Sequence, residues 1–195
     1  MGNFLSSLPK TIHTSIAISI LLFLGLFFNN EGFDIDRVFW SWLLRYIHVI
    51  VAIMWIGLLR YFNFVQIPNM PKIPDEQKPA ISKVIAPAAL FYFRWAAFGT
   101  IVSGLILSWL NGYTHEALTS GGGKNTAIGI GMWLGIIMAF NVWFLIWPNQ
   151  KRALGMVECD ADIKAKSART AMIFSRTNTL LSLPMLLSMV AAQNL

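Results

Sequence analysis

Five stretches of this chain are apolar for long enough to cross a membrane: Thr11–Phe28, Arg37–Phe62, Ile85–Leu110, Thr126–Trp147 and Ala171–Ala192. A bilayer core of about 30 Å takes about 20 helical residues. Inside hydrocarbon every backbone N–H and C=O must be satisfied within the protein, which restricts such stretches to helices or closed barrels. The segments are too long and too continuously apolar for barrel strands. Composition agrees, with 56% hydrophobic and 12% charged residues against about 25% charged in globular domains. The expected fold is all-α, a polytopic bundle of five transmembrane helices forming one domain over residues 1–195.

The charges lie mostly between the segments. Lys72, Lys78 and Lys83 follow the second, and Lys151, Arg152, Lys164, Lys166 and Arg169 follow the fourth. The other side carries Lys124 and Arg37 among Glu31, Asp34, Asp36 and Glu116. The positive-inside rule then predicts a cytoplasmic N-terminus, five crossings of a bacterial inner membrane and a periplasmic C-terminus. This distribution accounts for the net charge of +6 without nucleic acid as a partner; membrane lipid is the expected one. The first segment has no small-x-small site after it, only Asn29-Asn30, and reads as a retained helix. Pro148 is expected to close the fourth segment, the proline-rich Pro68–Pro79 to form an extended strap, and Gly121-Gly122-Gly123 a flexible turn. Cys159 stands alone in a loop, so neither a disulfide nor a CxxC metal site is expected.

Arg45, Arg94 and Arg176 break the apolar pattern. A cation in the membrane interior costs about 2.5–3.5 kcal/mol on insertion scales, and all nine Asp and Glu residues sit in connections. A bound anionic group would meet the arginines: a haem propionate, a lipid head group or an anionic substrate. Bonds to helix carbonyls would satisfy them equally. His48 follows Arg45 by one turn, and Ser41, Arg45, His48, Ala52 and Trp55 share a helix face. Imidazole is a common haem ligand, which makes His48 the candidate iron ligand and haem b the candidate cofactor. Counted from the outer helix ends at ~1.5 Å per residue, His48 lies ~16 Å deep and Met138 ~18 Å, so Met138 is the candidate second ligand. Arg94 and Arg176, with Asn141 and Asn178, fall in the inner half of the membrane and suit the carboxylates of a bound group.

Four stretches resemble a known family. They are Leu44–Gly57 (LRYIHVIVAIMWIG), Phe93–Ala96 through Ser103-Gly104, Asn141–Phe144 through Trp147–Gln150, and Ser175–Ser182 with Pro184. The family is that of PuuD-type proteins, the membrane domain of bacterial membrane-bound urate oxidase. The resemblance covers about residues 36–195. It implies a membrane domain that binds haem and passes electrons onward. Full-length members carry a cytochrome c domain with a CxxCH motif, which these residues lack, so a separate acceptor is expected: a cytochrome c or a quinone.

Three functions follow as expectations. The first is a haem-b-binding, redox-associated inner-membrane protein, a subunit of a respiratory assembly or a homo-oligomer. The second is a membrane-bound urate oxidase using a separate electron acceptor. The third is a non-catalytic accessory subunit whose arginines anchor lipid or a neighbouring chain.

Overall fold

A computed structural model describes residues 2–29, 34–119 and 123–194. The described residues are mostly helical, with no strand among them. The chain divides into two compact units, Met1–Trp40 and Ser41–Leu195. In the first, helix α1 spans Leu8–Phe28 and none of its residues is buried; Phe23 and Phe27 cluster with Phe39. The second unit holds most of α2 (Arg37–Lys72), then α3 (Lys78–Leu110), the short α4 (Thr114–Leu118), α5 (Thr126–Ala153) and α6 (Ala161–Asn194). Among the described residues four helices, α1, α2, α3 and α5, are long and apolar enough to cross a membrane; α6 stands apart because its composition is more polar.

Every helix of the second unit except α4 runs past the expected bounds, and prolines explain part of this. A proline ring clashes with the carbonyl four residues earlier and lacks the N–H that would bond to it. Here the turn before each of three prolines widens to π-helical i→i+5 geometry: Tyr61–Gln66 before Pro68, Ile81–Ile85 before Pro87, and Asn141–Ile146 before Pro148. In each case the threatened carbonyl, of Phe64, Lys83 or Phe144, lies in the widened turn, and the helix continues. Pro148 therefore does not close α5. Gly155 does, with φ 72°, its N–H on the Arg152 carbonyl and the next N–H, of Met156, on that of Lys151, the paired bonds of a glycine-terminated helix. Likewise Pro68–Pro79 is no extended strap: Pro68 and Pro71 lie in the last turns of α2 and Pro79 in the first of α3. His115 lies in α4. Most of the expected turn Gly121-Gly122-Gly123 lies outside the described residues.

The core fills the half of this unit nearer Lys72 and Lys78. Trp55, Leu59, Phe62, Leu90, Phe93, Met138, Val142 and Ile146 are buried there. Polar residues also face inward: Ser175, Asn178 and Ser182 of α6 are buried, while Ile173, Leu180, Leu183, Leu187 and Val190 of the same helix are exposed. Apolar side chains outward and small polar ones inward is the arrangement a lipid solvent favours. Pro184 sits within α6, and two residues before it the Ser182 hydroxyl donates to the Thr179 carbonyl at 2.7 Å.

Candidate functional site

Contacts fix the relative register of the helices. Ser41 donates to Asn111 at 3.4 Å and His48 meets Ser103 at 3.0 Å, so α2 and α3 are antiparallel neighbours. Trp143 of α5 packs edge-on against Trp95 of α3, with centroids 5.6 Å apart. Gly131 of α5 lies against the Met189 thioether of α6. Asn63 of α2 donates to the Ser175 hydroxyl of α6 at 2.8 Å. The order around the bundle is therefore α2, α3, α5, α6, with α2 and α6 joined through Asn63 and Ser175.

Towards the other end, these four helices surround a cavity of about 640 Å³. One stripe of α2 forms a wall: Arg45, His48, Val49, Ala52, Ile53, Ile56 and Arg60, at the i, i+3, i+4 spacing of a single helix face. The opposing wall is Met185, Met189 and Gln193 of α6, and Thr100, Gly104 and Met132 contribute from α3 and α5. The cavity lies within the roughly 300–1,000 Å³ typical of ligand and cofactor sites. Most of its lining is apolar; near one end Arg45 is joined by Tyr113, Gln193 and Asn194, and Arg60 lies towards the other. Gly112, with φ 78°, ends α3 and turns the chain into Tyr113. Burial pushes the Tyr113 phenol above its ordinary pKa, and the Arg45 charge pulls the other way.

His48 is held tightly. The Ser103 hydroxyl lies 2.6 Å from the Gly99 carbonyl and 3.2 Å from that of Thr100. Carbonyls only accept, so the single hydroxyl proton goes to one of them, and the Ser103 oxygen accepts from His48 Nδ1–H. That selects the tautomer with an unprotonated Nε2, the form a metal-ligating histidine takes when its other nitrogen is anchored. Gly104 makes the approach possible: a Cβ there would sit 3.0 Å from His48 Cε1. On the same cavity wall Trp55 is fully buried, and its indole N–H has no acceptor.

The other residues singled out in the sequence lie elsewhere. Met138 is wholly buried in the core and is not part of the cavity wall. Asn141 donates to Asn178 at 2.8 Å, and Asn178 donates to the Met138 carbonyl at 2.8 Å. This closed pair ties α5 to α6 at the turn where α5 widens. Arg94 lies over the face of Trp147, 3.3 Å from the ring centroid. The partner for this half-buried charge is thus in part an aromatic quadrupole, worth about 0.5–2 kcal/mol, although its Nη1 atom is buried without a hydrogen-bond partner. Arg176 is exposed on the outward side of α6. The expected inner cluster of Arg94, Arg176, Asn141 and Asn178 therefore does not converge on one point. Arg60, Tyr113, Met132, Met185, Met189 and Gln193 were not singled out from sequence. Arg60 continues the stripe begun by Arg45 and His48, and that spacing could have found it.

The fold and cavity define a helical protein, four of whose described helices are long and apolar enough to cross a membrane, with a cavity between α2 and α6 that carries His48 and Arg45. Residues 109–194 match the family model described as urate oxidase N-terminal. The match covers somewhat under half of the chain. It includes the resembling stretches at Asn141–Gln150 and Ser175–Pro184 and leaves out those at Leu44–Gly57 and Phe93–Gly104. No curated protein and no solved structure matches the chain.

Proposed function

We propose that this chain is a haem-b-binding membrane protein of the electron-transfer kind, with the haem in the cavity between α2 and α6. The observation that carries the reading is His48: Nδ1 anchored on Ser103, Nε2 free to ligate, on the wall of a cofactor-sized cavity. The residues fit the group. Arg45, Tyr113 and Gln193 offer donors for propionates at one end, and the methionine-rich wall suits a porphyrin face. Bound there, haem would supply one-electron redox chemistry. The protein's part is to orient the imidazole through Ser103, to meet the carboxylates with Arg45 and to exclude water with apolar side chains.

The same reading includes five crossings, with α6 as the fifth. Its low hydropathy comes from inward polar residues that are buried and bonded and from the basic turns before Ala171, while its outward face is apolar apart from Arg176, near enough to the inner boundary to snorkel. The basic loops after α2 and α5 support a cytoplasmic N-terminus and a periplasmic C-terminus in a bacterial inner membrane. Electrons would leave to a separate cytochrome c or quinone.

The test is the absorption spectrum of the protein purified in mild detergent from haem-replete cells. The expected result is a Soret band that is lost or shifted in His48→Ala and weakened in Arg45→Leu. A colourless wild type would refute the reading. The family match favours a second reading, membrane-bound urate oxidation with an external acceptor. Urate turnover on adding a quinone or cytochrome, abolished in Arg45→Leu, would establish it, and absence of turnover with either acceptor would reject it.

A further inference from the structure

Two arginines flank the inner end of the seam between α2 and α6. Arg60 lines the cavity at the end away from Arg45, and Arg176 is exposed on the outward side of α6. The ion pair among the described residues, Lys78 with Asp75, lies elsewhere, and neither guanidinium has a hydrogen-bond partner among those residues. We infer that Arg60 and Arg176 together hold the phosphate of one anionic phospholipid of the cytoplasmic leaflet, with an acyl chain lying along the outward side of the seam. The site is independent of the haem; it rests on α6 as the fifth crossing.

The hydrogen bond from Asn63 to Ser175 pins α2 to α6 at 2.8 Å. Arg60 stands three residues before Asn63, and Arg176 one residue after Ser175. The helices are antiparallel, so both arginines lie on the cavity side of the pin, ~4.5 and ~1.5 Å from it. At about 100° per residue Arg60 is turned ~60° round α2 from Asn63, and Arg176 ~100° round α6 from Ser175, each in the same sense about its own axis. For facing antiparallel helices that carries both to one side of the seam. The opposite side is the bundle interior, where His48 meets Ser103 of α3 and Asn178 meets Asn141 of α5. The arginine Cα atoms are therefore about one interaxial distance apart, roughly 8–10 Å, and ~3 Å apart in level. Helical side chains lean towards their own N-terminus, so Arg60 leans away from the pin and Arg176 towards it. The lean widens the step in level, and the long arginine stems span it. The guanidiniums are too far apart to meet, and a phosphate seated between them can accept from both.

Depth and surroundings fit a lipid. Counted from Trp42, near the outer end of α2, Arg60 lies ~27 Å along the helix, and counted from Gln193 of α6, Arg176 lies ~26 Å along. Both are close to the thickness of the hydrocarbon core, about 30 Å, which puts them at the level of the inner head groups. From the arginines towards the membrane centre the same side of the seam is apolar. Ile53 of α2 and Leu183 and Leu187 of α6 are exposed there, and nothing lies within 4 Å of where a Cβ on Gly57 would stand. Paired cations at the cytoplasmic boundary beside an apolar groove suit an anionic head group with its chain. Bound there, the lipid ties α2 to α6 and neutralises Arg60 at its end of the cavity.

The experiment uses the full chain, delipidated in mild detergent, with dioleoylphosphatidylglycerol as probe and native mass spectrometry as readout. Wild type should retain one such lipid per chain, about tenfold or more tightly than dioleoylphosphatidylcholine. Arg60→Gln and Arg176→Gln should each weaken retention about fivefold to tenfold. The double variant should lose less than the product of the two, because one phosphate serves both. Arg60→Lys and Arg176→Lys, which keep the charge, should retain most of the binding, and Arg169→Gln, elsewhere on α6, should retain all of it. Equal affinity for the two lipids, losses that multiply, an equal loss in Arg169→Gln, or displacement by free glycerol phosphate at the same concentration would each overturn the inference. An epitope tag at the C-terminus reads the fifth crossing separately. A tag detected only outside intact cells, with no lipid retained, refutes the site alone; a tag detected only inside refutes the crossing and the site together.

Discussion

Gly104→Ala should dislodge His48, whereas Gly99→Ala, little more than one turn away on the same helix, should not. A Cβ at Gly104 meets His48 Cε1 at 3.0 Å and Nδ1 at 3.3 Å. A Cβ at Gly99 meets the Val51 methyls at 3.6 and 3.8 Å, ordinary van der Waals contact. To reach comfortable contact the imidazole must retreat by a few tenths of an ångström. Retreat lengthens a Nδ1–Ser103 bond already at 3.0 Å to the limit of a useful hydrogen bond. That bond is worth about 1 kcal/mol, and forcing extra volume into a packed contact costs about 1–3 kcal/mol. Against this, Gly→Ala gains about 0.5–1 kcal/mol of helix propensity. The balance is a loss of about 1–3 kcal/mol for Gly104→Ala and a change near zero or slightly stabilising for Gly99→Ala. Thermal unfolding in detergent reads the stability, and nitrogen NMR of ring-labelled histidine reads the His48 tautomer. Equal melting shifts in the two variants, or an unchanged His48 signal in Gly104→Ala, would refute the packing argument.

Other expectations follow from the same contacts. Asn178→Ala removes two buried hydrogen bonds and strands the Asn141 amide; a loss of about 1–3 kcal/mol is expected in thermal unfolding, and a fully stable variant would contradict the closed pair. Trp147→Ala strips the ring from Arg94 and should destabilise by about 0.5–2 kcal/mol, while Arg94→Leu in the Trp147→Ala background should recover part of the loss; no recovery would mean that the charge is not what is exposed. Cys159, in the basic loop between α5 and α6, should react with an impermeant thiol reagent only from the cytoplasmic side, and labelling from outside intact cells would reverse the topology.

The apolar segments were legible because a spanning stretch must satisfy its own backbone, whatever its neighbours. Their ends were not. Pro148 and Pro68 carry the sequence signal of a helix stop, but a widened turn absorbs each proline, and the Lys151–Gly155 terminator lies one turn further on. Arg45 and His48 were found together because one helix face fixes both, and Arg60 belongs to that face by the same spacing. Met138 was matched to His48 by counting from helix ends, which assumes that the ends are level. Register is set by contacts distant in sequence, such as Asn63 with Ser175, and no local pattern encodes them. Trp147 as the partner of Arg94 was hidden for the same reason. The polar face of α6 reads as weak membrane character until its partners on α2 and α5 are known.

The most direct measurement of the central claim is an experimental structure of the purified protein with anomalous data recorded at the iron edge. The account predicts one iron peak in the cavity between α2 and α6, about 2.0 Å from His48 Nε2, as expected for a metal–imidazole bond, with electron density for carboxylates beside Arg45 and Tyr113. A cavity filled only by an acyl chain or detergent, or an iron peak away from His48, would contradict it.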